Sequence, residues 1–179
     1  MGGLRRAMGR CGKLRDESAQ TMIEYGILYI AVIVPLTFGI MFLAEMLWVW
    51  HSIVDLTRDG ARYATTHCWT SDGSNVITYM QTHVPLMIDM SQFQQGPAQI
   101  NVTYYAADPS SGELSEFACS SGDCTVDCLP DAVTVSISQY QFTRFQMFLG
   151  LPPVTMPYFQ QSLPIESNGC DPQQGVCLP

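Results

Sequence analysis

Seven cysteines, three histidines and sixteen carboxylates are the side chains of this 179-residue chain with a capacity for chemistry. Their spacing argues against most of what such residues do. Cys119, Cys124 and Cys128 read C-x4-C-x3-C, Cys170 and Cys177 read C-x6-C, and Cys68 stands apart, so no C-x-x-C of the redox or zinc kind occurs. His51, His67 and His83 are scattered singly. Asp123, Asp127 and Asp131 recur every fourth residue and do not spell the alternating acidic pattern of a calcium loop; solvated loop charges are the simpler reading. A glycine-rich phosphate cradle, a G-x-S-x-G elbow and a His-Glu-x-x-His helix are all missing from the sequence. Asn101-Val-Thr103 is a glycosylation sequon only in cells that use it, and an Asn inside a strand favours the structural reading. The expectation is a non-enzymatic protein with no catalytic residue, no metal and no cofactor. For the thiols there remains disulfide chemistry, which requires an oxidising compartment.

The charges say which part of the chain reaches such a compartment. Eight Lys+Arg stand against sixteen Asp+Glu, a formal net charge of −8, and only 13% of residues are charged while 47% are hydrophobic. A chain this apolar collapses instead of staying disordered, and its acidity offers a phosphate backbone nothing to hold, so no nucleic-acid partner is expected. Arg5, Arg6, Arg10, Lys13 and Arg15 crowd into the first fifteen residues, and only Arg58, Arg62 and Arg144 follow. Directly after this basic head, residues 27–44 carry no charge, and residues 46–50 extend the apolar run past Glu45. As a helix, the interval from Glu24 to Trp50 spans about 39 Å, enough to cross a hydrocarbon core of about 30 Å.

A buried core helix would carry a polar stripe, and a cleaved secretory signal would be shorter and end at small residues; this stretch does neither. Tyr25 and Tyr29 at one end, and Trp48, Trp50 and His51 at the other, suit the two lipid–water interfaces. The cation bias predicts a single pass with the amino terminus in the cytoplasm and lipid as an obligate partner. Residues 1–19 are then a basic cytoplasmic leader, 20–50 the membrane helix, 51–67 its continuation outside, and 68–179 an extracytoplasmic head.

This topology leaves Cys11 inside and places Cys68, Cys119, Cys124, Cys128, Cys170 and Cys177 outside, an even number suited to disulfides. Six cysteines allow fifteen connectivities and the sequence does not choose among them, although Cys170 and Cys177 bracket a short Pro/Gly loop and can pair locally.

One residue, Glu24, does not suit a plain anchor, and a second, Pro35, disturbs the helix, although Pro is in any case commoner in membrane helices than in soluble ones. Glu24 places a carboxylate at the edge of the apolar run, costing about 2–3 kcal/mol near the bilayer centre and less toward the interface. Either it has a functional partner, or it stays wet near a helix amino terminus, where negative charge gains about 0.3–1 kcal/mol. Pro35 removes a backbone donor, leaving the Ala31 carbonyl without its usual partner; a kink or locally melted turn is expected, relieved by Thr37 or a neighbour. Beyond the membrane, Ile53, Leu56, Gly60 and Ala64 share one helical face to about Thr66, with Asp55–Arg58 and Asp59–Arg62 as i,i+3 ion pairs on another.

The head reads as α+β: a short helix and an antiparallel sheet of about three strands, stabilised by disulfides. Ser74 is expected to cap a helix carrying Val76, Tyr79, Met80, His83 and Met87. Residues 99–105 and 132–140 alternate apolar and polar residues, the pattern of half-buried strands, and are expected to pair. Residues 156–165 form the third strand, and residues 108–131 a long loop pinned by three cysteines.

The order of these features resembles a known family. Ser18-Ala19-Gln20-Thr21-Met22-Ile23-Glu24-Tyr25-Gly26, then Val32-Ile33-Val34-Pro35-Leu36 with Phe38-Gly39, then Asp59-Gly60-Ala61-Arg62-Tyr63-Ala64, is similar to the TadE-like pseudopilins of the tight-adherence (Tad/Flp) pilus system. The likeness covers residues 18–66. It implies a minor pilin of the bacterial inner membrane, cut by a membrane-embedded prepilin peptidase between Ala19 and Gln20. The family carries Gly before the cut where this chain has Ala19. It further implies that Glu24 and Tyr25 act in assembly, Glu24 pairing with a terminal amine, and that the partners are other pilin or pseudopilin subunits and an inner-membrane assembly platform. The cut removes five of eight cations and two of sixteen anions, leaving three against fourteen and a net charge of −11. The competing reading is a membrane-tethered adhesin or ligand-binding module for which the helix is only an anchor.

Overall fold

The computed structural model describes residues 20–120, 122–126, 128–144, 150, 152–165, 167–171 and 176–177. The leader 1–19, with Cys11 and Ala19, and the loop residue Asp127 lie outside the described residues. One helix, α1, runs Gln20–Thr66, with a mean hydropathy of 2.5 in its most apolar window and none of that window buried. Contacts divide the chain into two units, Met1–Glu45 and Met46–Pro179.

In the first unit, α1 changes its winding once. Tyr29–Ile33 form a π turn closed by the Val34 N–H donating to the Tyr29 carbonyl, five residues back. α-Helix resumes at Val34, immediately before Pro35. The expected melted turn at Pro35 is therefore a wider turn placed just ahead of it, a common local answer to a missing donor. Thr37 does supply a hydroxyl, but to the Val34 carbonyl at 2.8 Å and not to Ala31.

In the second unit, the remainder of α1 buries Val49, Ile53, Leu56, Thr57, Gly60, Ala61 and Ala64. The recurrence at three and four residues is that of a single helical face, and it contains all four residues expected there. Of the two expected ion pairs, Asp55–Arg58 forms at 3.6 Å between exposed side chains, and Asp59–Arg62 does not.

A second helix, α2, spans Ser74–Thr82, and a single turn, α3, spans Ser91–Gln94. Ser74 does not cap α2: Gly73 occupies the cap position at φ +63°, and the Asp72 carboxylate accepts from the Ser74 N–H at 2.9 Å. The helix stops before His83, so Met87 lies beyond it; Pro85, which lacks a donor and restricts its predecessor, accounts for the early end. Val76 and Met80 are fully buried, and Met80 lies over Gly60 of α1, where an added Cβ would fall 2.8 Å from its Cγ.

The sheet is four-stranded and antiparallel, in the order β2-β1-β3-β6, with β1 Gln99–Ala107, β2 Leu114–Glu116, β3 Ala132–Ser138 and β6 Phe159–Pro164. β1 and β3 pair from Gln99↔Ser138 to Tyr105↔Ala132, and β3 pairs β6 from Ala132↔Pro164 to Ile137↔Phe159. The sheet has one strand more than expected, because β2 lies within the segment read as a loop. Three residues of Leu-Ser-Glu carry no periodic signal long enough to read.

β3, expected over residues 132–140, ends two residues early, since Gln139 adopts φ +58°. Small ribbons add β4 Gln141–Phe142 to β5 Val154–Thr155, and β7 Cys170–Asp171 to β8 Val176–Cys177. β3 is buried on both sides and is not the half-buried strand its alternation suggests: Thr134 and Ser136 are buried along with their apolar neighbours. Their hydroxyls are satisfied, Thr134 with Ser162 at 2.9 Å and Ser136 by the Asn101 carbonyl at 3.4 Å.

Candidate functional site

The membrane-length portion of α1 presents its apolar side chains outward. Met22 is 80% exposed and Ile30 68%, and Ile23, Ile27, Leu28, Leu36, Ile40 and Leu43 are each more than half exposed. An added Cβ at Gly26 or Gly39 would meet nothing within 4 Å, so backbone is open to close approach at both points. Burying such a surface requires a hydrocarbon phase or other helices, because water solvates it poorly. Among the sequence-predicted residues, Gln20 opens the described helix, and Glu24 and Tyr25 lie one turn in, both exposed.

Beyond α1, the six cysteines from Cys68 to Cys177 form three disulfides: Cys68–Cys124, Cys119–Cys128 and Cys170–Cys177. The local pairing open to Cys170 and Cys177 is the one adopted. Cys68–Cys124 ties the second residue after α1 to the loop beyond β2, and Cys119–Cys128 closes that loop on itself. The sulfurs of Cys68, Cys170 and Cys177 lie within 4.8 Å of one another. That cluster consists of two adjacent disulfides, whose sulfurs lack the thiolate charge that binds a metal.

Two asparagines that the sequence did not single out complete this junction. Asn168 is fully buried at φ +50°, and with its amide nitrogen turned to the carbonyls it donates to Ala64 O at 3.1 Å and His67 O at 2.9 Å. The orientation follows from the hydrogen-bond network. Asn75 donates to Cys68 O and accepts from Thr70 and from the Val76 N–H. Asn168 thereby satisfies a carbonyl that the helix end leaves unpaired, and Asn75 one just beyond it. An Asn in a Ser-Asn-Gly turn announces left-handed backbone but not the distant helix it caps. Trp69 is buried beside them, donating through its indole to Cys128 O at 3.0 Å and meeting Tyr104 and Phe117 edge to face.

The histidines are not ligands to a common centre. His67, Tyr63, Tyr79 and His83 form one continuous stack with successive centroid distances of 3.7, 4.0 and 4.3 Å. Its symmetry comes from a short repeat: Tyr63-Ala-Thr-Thr-His67 ends α1 and Tyr79-Met-Gln-Thr-His83 ends α2. In each, the His Nδ1 lies within 3.1 Å of the carbonyl of its own Tyr four residues back. The ring faces within the stack are spent on one another, so the arrangement locks the two helix ends together.

Outside the membrane segment, several groups have shifted acidities. The Ser74 N–H and hydroxyl hold Asp72 below the usual carboxylate range, and Ser91 and Ser110 do the same for Asp89 and Asp108. Burial pushes the phenols of Tyr104 and Tyr140 upward. The Asp123 and Asp72 carboxylates add to the shift of Tyr104. Tyr140 accepts the Asp89 N–H at 2.8 Å, and Gln92, buried beside it, exchanges two 2.8 Å bonds with the Gln141 backbone as a strand would.

Comparisons with protein-family models, with curated proteins and with solved structures find no match to this chain.

Proposed function

We propose that this protein is a TadE-like minor pilin or pseudopilin, anchored by α1 in the bacterial inner membrane and assembled through that helix into a Tad-type pilus or secretion apparatus. The observation that carries this reading is the pairing of a long, outward-facing apolar helix with a carboxylate, Glu24, four residues after Gln20 and ahead of the charge-free run 27–44. Cleavage between Ala19 and Gln20 would create an amine one helical turn from that carboxylate, and a buried charge in an assembled bundle is tolerable chiefly when paired. The exposed Gly26 and Gly39 offer neighbouring helices a close approach, and the π turn ahead of Pro35 gives the rod a place to adapt. The disulfide-tied head stays on the extracytoplasmic side and carries out adhesion or secretion without enzymatic chemistry.

The decisive experiment is the terminal mass of the protein extracted from membranes. A Gln20 terminus supports the pilin route. An intact Met1 overturns it in favour of a tethered binding module. In the same cells, Glu24→Leu is expected to leave the protein inserted but exclude it from complexes with its partners.

A further inference from the structure

The head sheet ends in two open edges of opposite character. On one side is β2, whose three residues are all exposed. Phe117 donates to Tyr104 O, and Asp108 to Glu113 O, each at 2.9 Å, so residues 113, 115 and 117 turn their backbone groups toward β1. By alternation, Leu114 and Glu116 point theirs outward. On the other side is β6. The Ile165 N–H reaches Asp131 O at 2.8 Å, so residues 159, 161 and 163 face β3, and Gln160 and Ser162 face out. No further strand pairs with either edge among the described residues.

We infer that these edges join between copies: β2 of one molecule adds to β6 of the next, with Glu113 seated against Arg58 and Arg62. Three features carry this. First, direction: with every neighbour antiparallel in the order β2-β1-β3-β6, β2 runs opposite to β6. A copy translated sideways without rotation therefore presents β2 antiparallel to β6. Second, register: setting Leu114 opposite Ser162 and Glu116 opposite Gln160 matches outward donors to outward acceptors in two full pairs. Pro164, lacking an N–H, ends the match at one side.

Third, charge. In that register Glu113 stands opposite Leu163, on the sheet face where Arg58, Arg62, Gln161 and Leu163 line a small recess. These are two of the three cations among residues 20–179, set into an otherwise acidic head, and an exposed glutamate is what they would receive. Among the described residues, Arg58 has one ion-pair partner, the exposed Asp55, a weak competitor. The contact is heterologous, using different surfaces on the two partners, so it propagates into an array instead of stopping at a dimer. It extends the assembly reading but does not require the cut at Gln20.

The test uses full-length protein in detergent at high concentration, mixing unlabelled copies with isotopically labelled ones, with a photo-crosslinking amino acid at position 160. Cross-links are expected between copies, onto residues 114–118. Arg62→Glu should lower their yield roughly fivefold, the size expected for a partly shielded ion pair. Glu113→Arg in the partner copy should restore it. Leu114→Pro, which removes an outward donor and no bond of the β1–β2 ladder, should abolish them. Absence of cross-links between copies, links from 160 to 160, or a yield indifferent to Arg62→Glu and Leu114→Pro would each overturn the inference. The terminal mass of the same sample scores the cleavage separately.

Discussion

Asn168 sits fully buried with its carboxamide nitrogen 3.1 Å from the carbonyl oxygen of Ala64, in the last turn of α1. A residue from the chain's end thereby holds the helix that enters the head. Asn168→Ala should cost about 1–3 kcal/mol, the penalty for carbonyls left without donors. Asn168→Gly removes the same bonds while relaxing the φ of +50°. A similar loss in both variants, measured by thermal unfolding of the detergent-solubilised protein, assigns the cost to the bonds; a stable glycine variant would assign it to backbone strain.

Gly73 combines a φ of +63° with an absence of room: an added Cβ would lie 2.6 Å from Val102 Cβ on strand β1. Gly73→Ala should destabilise the head by about 1–3 kcal/mol through strain and overpacking together. Adding Val102→Ala should recover only the packing share, a partial rescue visible in the same melting experiment.

The three disulfides differ mainly in the length of chain they close. Cys68–Cys124 spans 56 residues, against 9 for Cys119–Cys128 and 7 for Cys170–Cys177. On loop-closure entropy, replacing the first pair by serines should cost about 4 kcal/mol and either of the others about 2.5. Unfolding of the three double-serine variants checks the order, and equal losses would contradict it.

Asp72, Asp89 and Asp108 share one acid dependence. Each is held below its ordinary value by hydrogen bonds from a following serine, so the folded state keeps these groups ionised where the unfolded chain protonates them. That contribution is fully present above pH about 4 and is lost as pH falls through the lower folded values. Tyr104 and Tyr140 behave in the opposite sense: their raised values favour the folded state below pH about 10, and this support is lost as pH rises further. Melting temperature plotted against pH should form a plateau with a shoulder on each side. Asp108→Asn should flatten the acid shoulder.

The long apolar helix, the shared face of Ile53, Leu56, Gly60 and Ala64, the two long strands and the presence of disulfides were all legible in the sequence, because each rests on local periodicity or on composition. Hydrophobic spacing fixes which residues must leave water whatever they meet. The pairing of Cys68 with Cys124, the fourth strand at Leu114–Glu116, the cap given by Asn168 and the stack of His67, Tyr63, Tyr79 and His83 were not. Each depends on which distant segments the sheet and helices bring within a few ångströms, and a short polar run carries no mark of that. Even the winding of α1 divides this way: Pro35 announces a disturbance, but whether the turn melts or widens is decided by which carbonyls and donors the folded chain can still join.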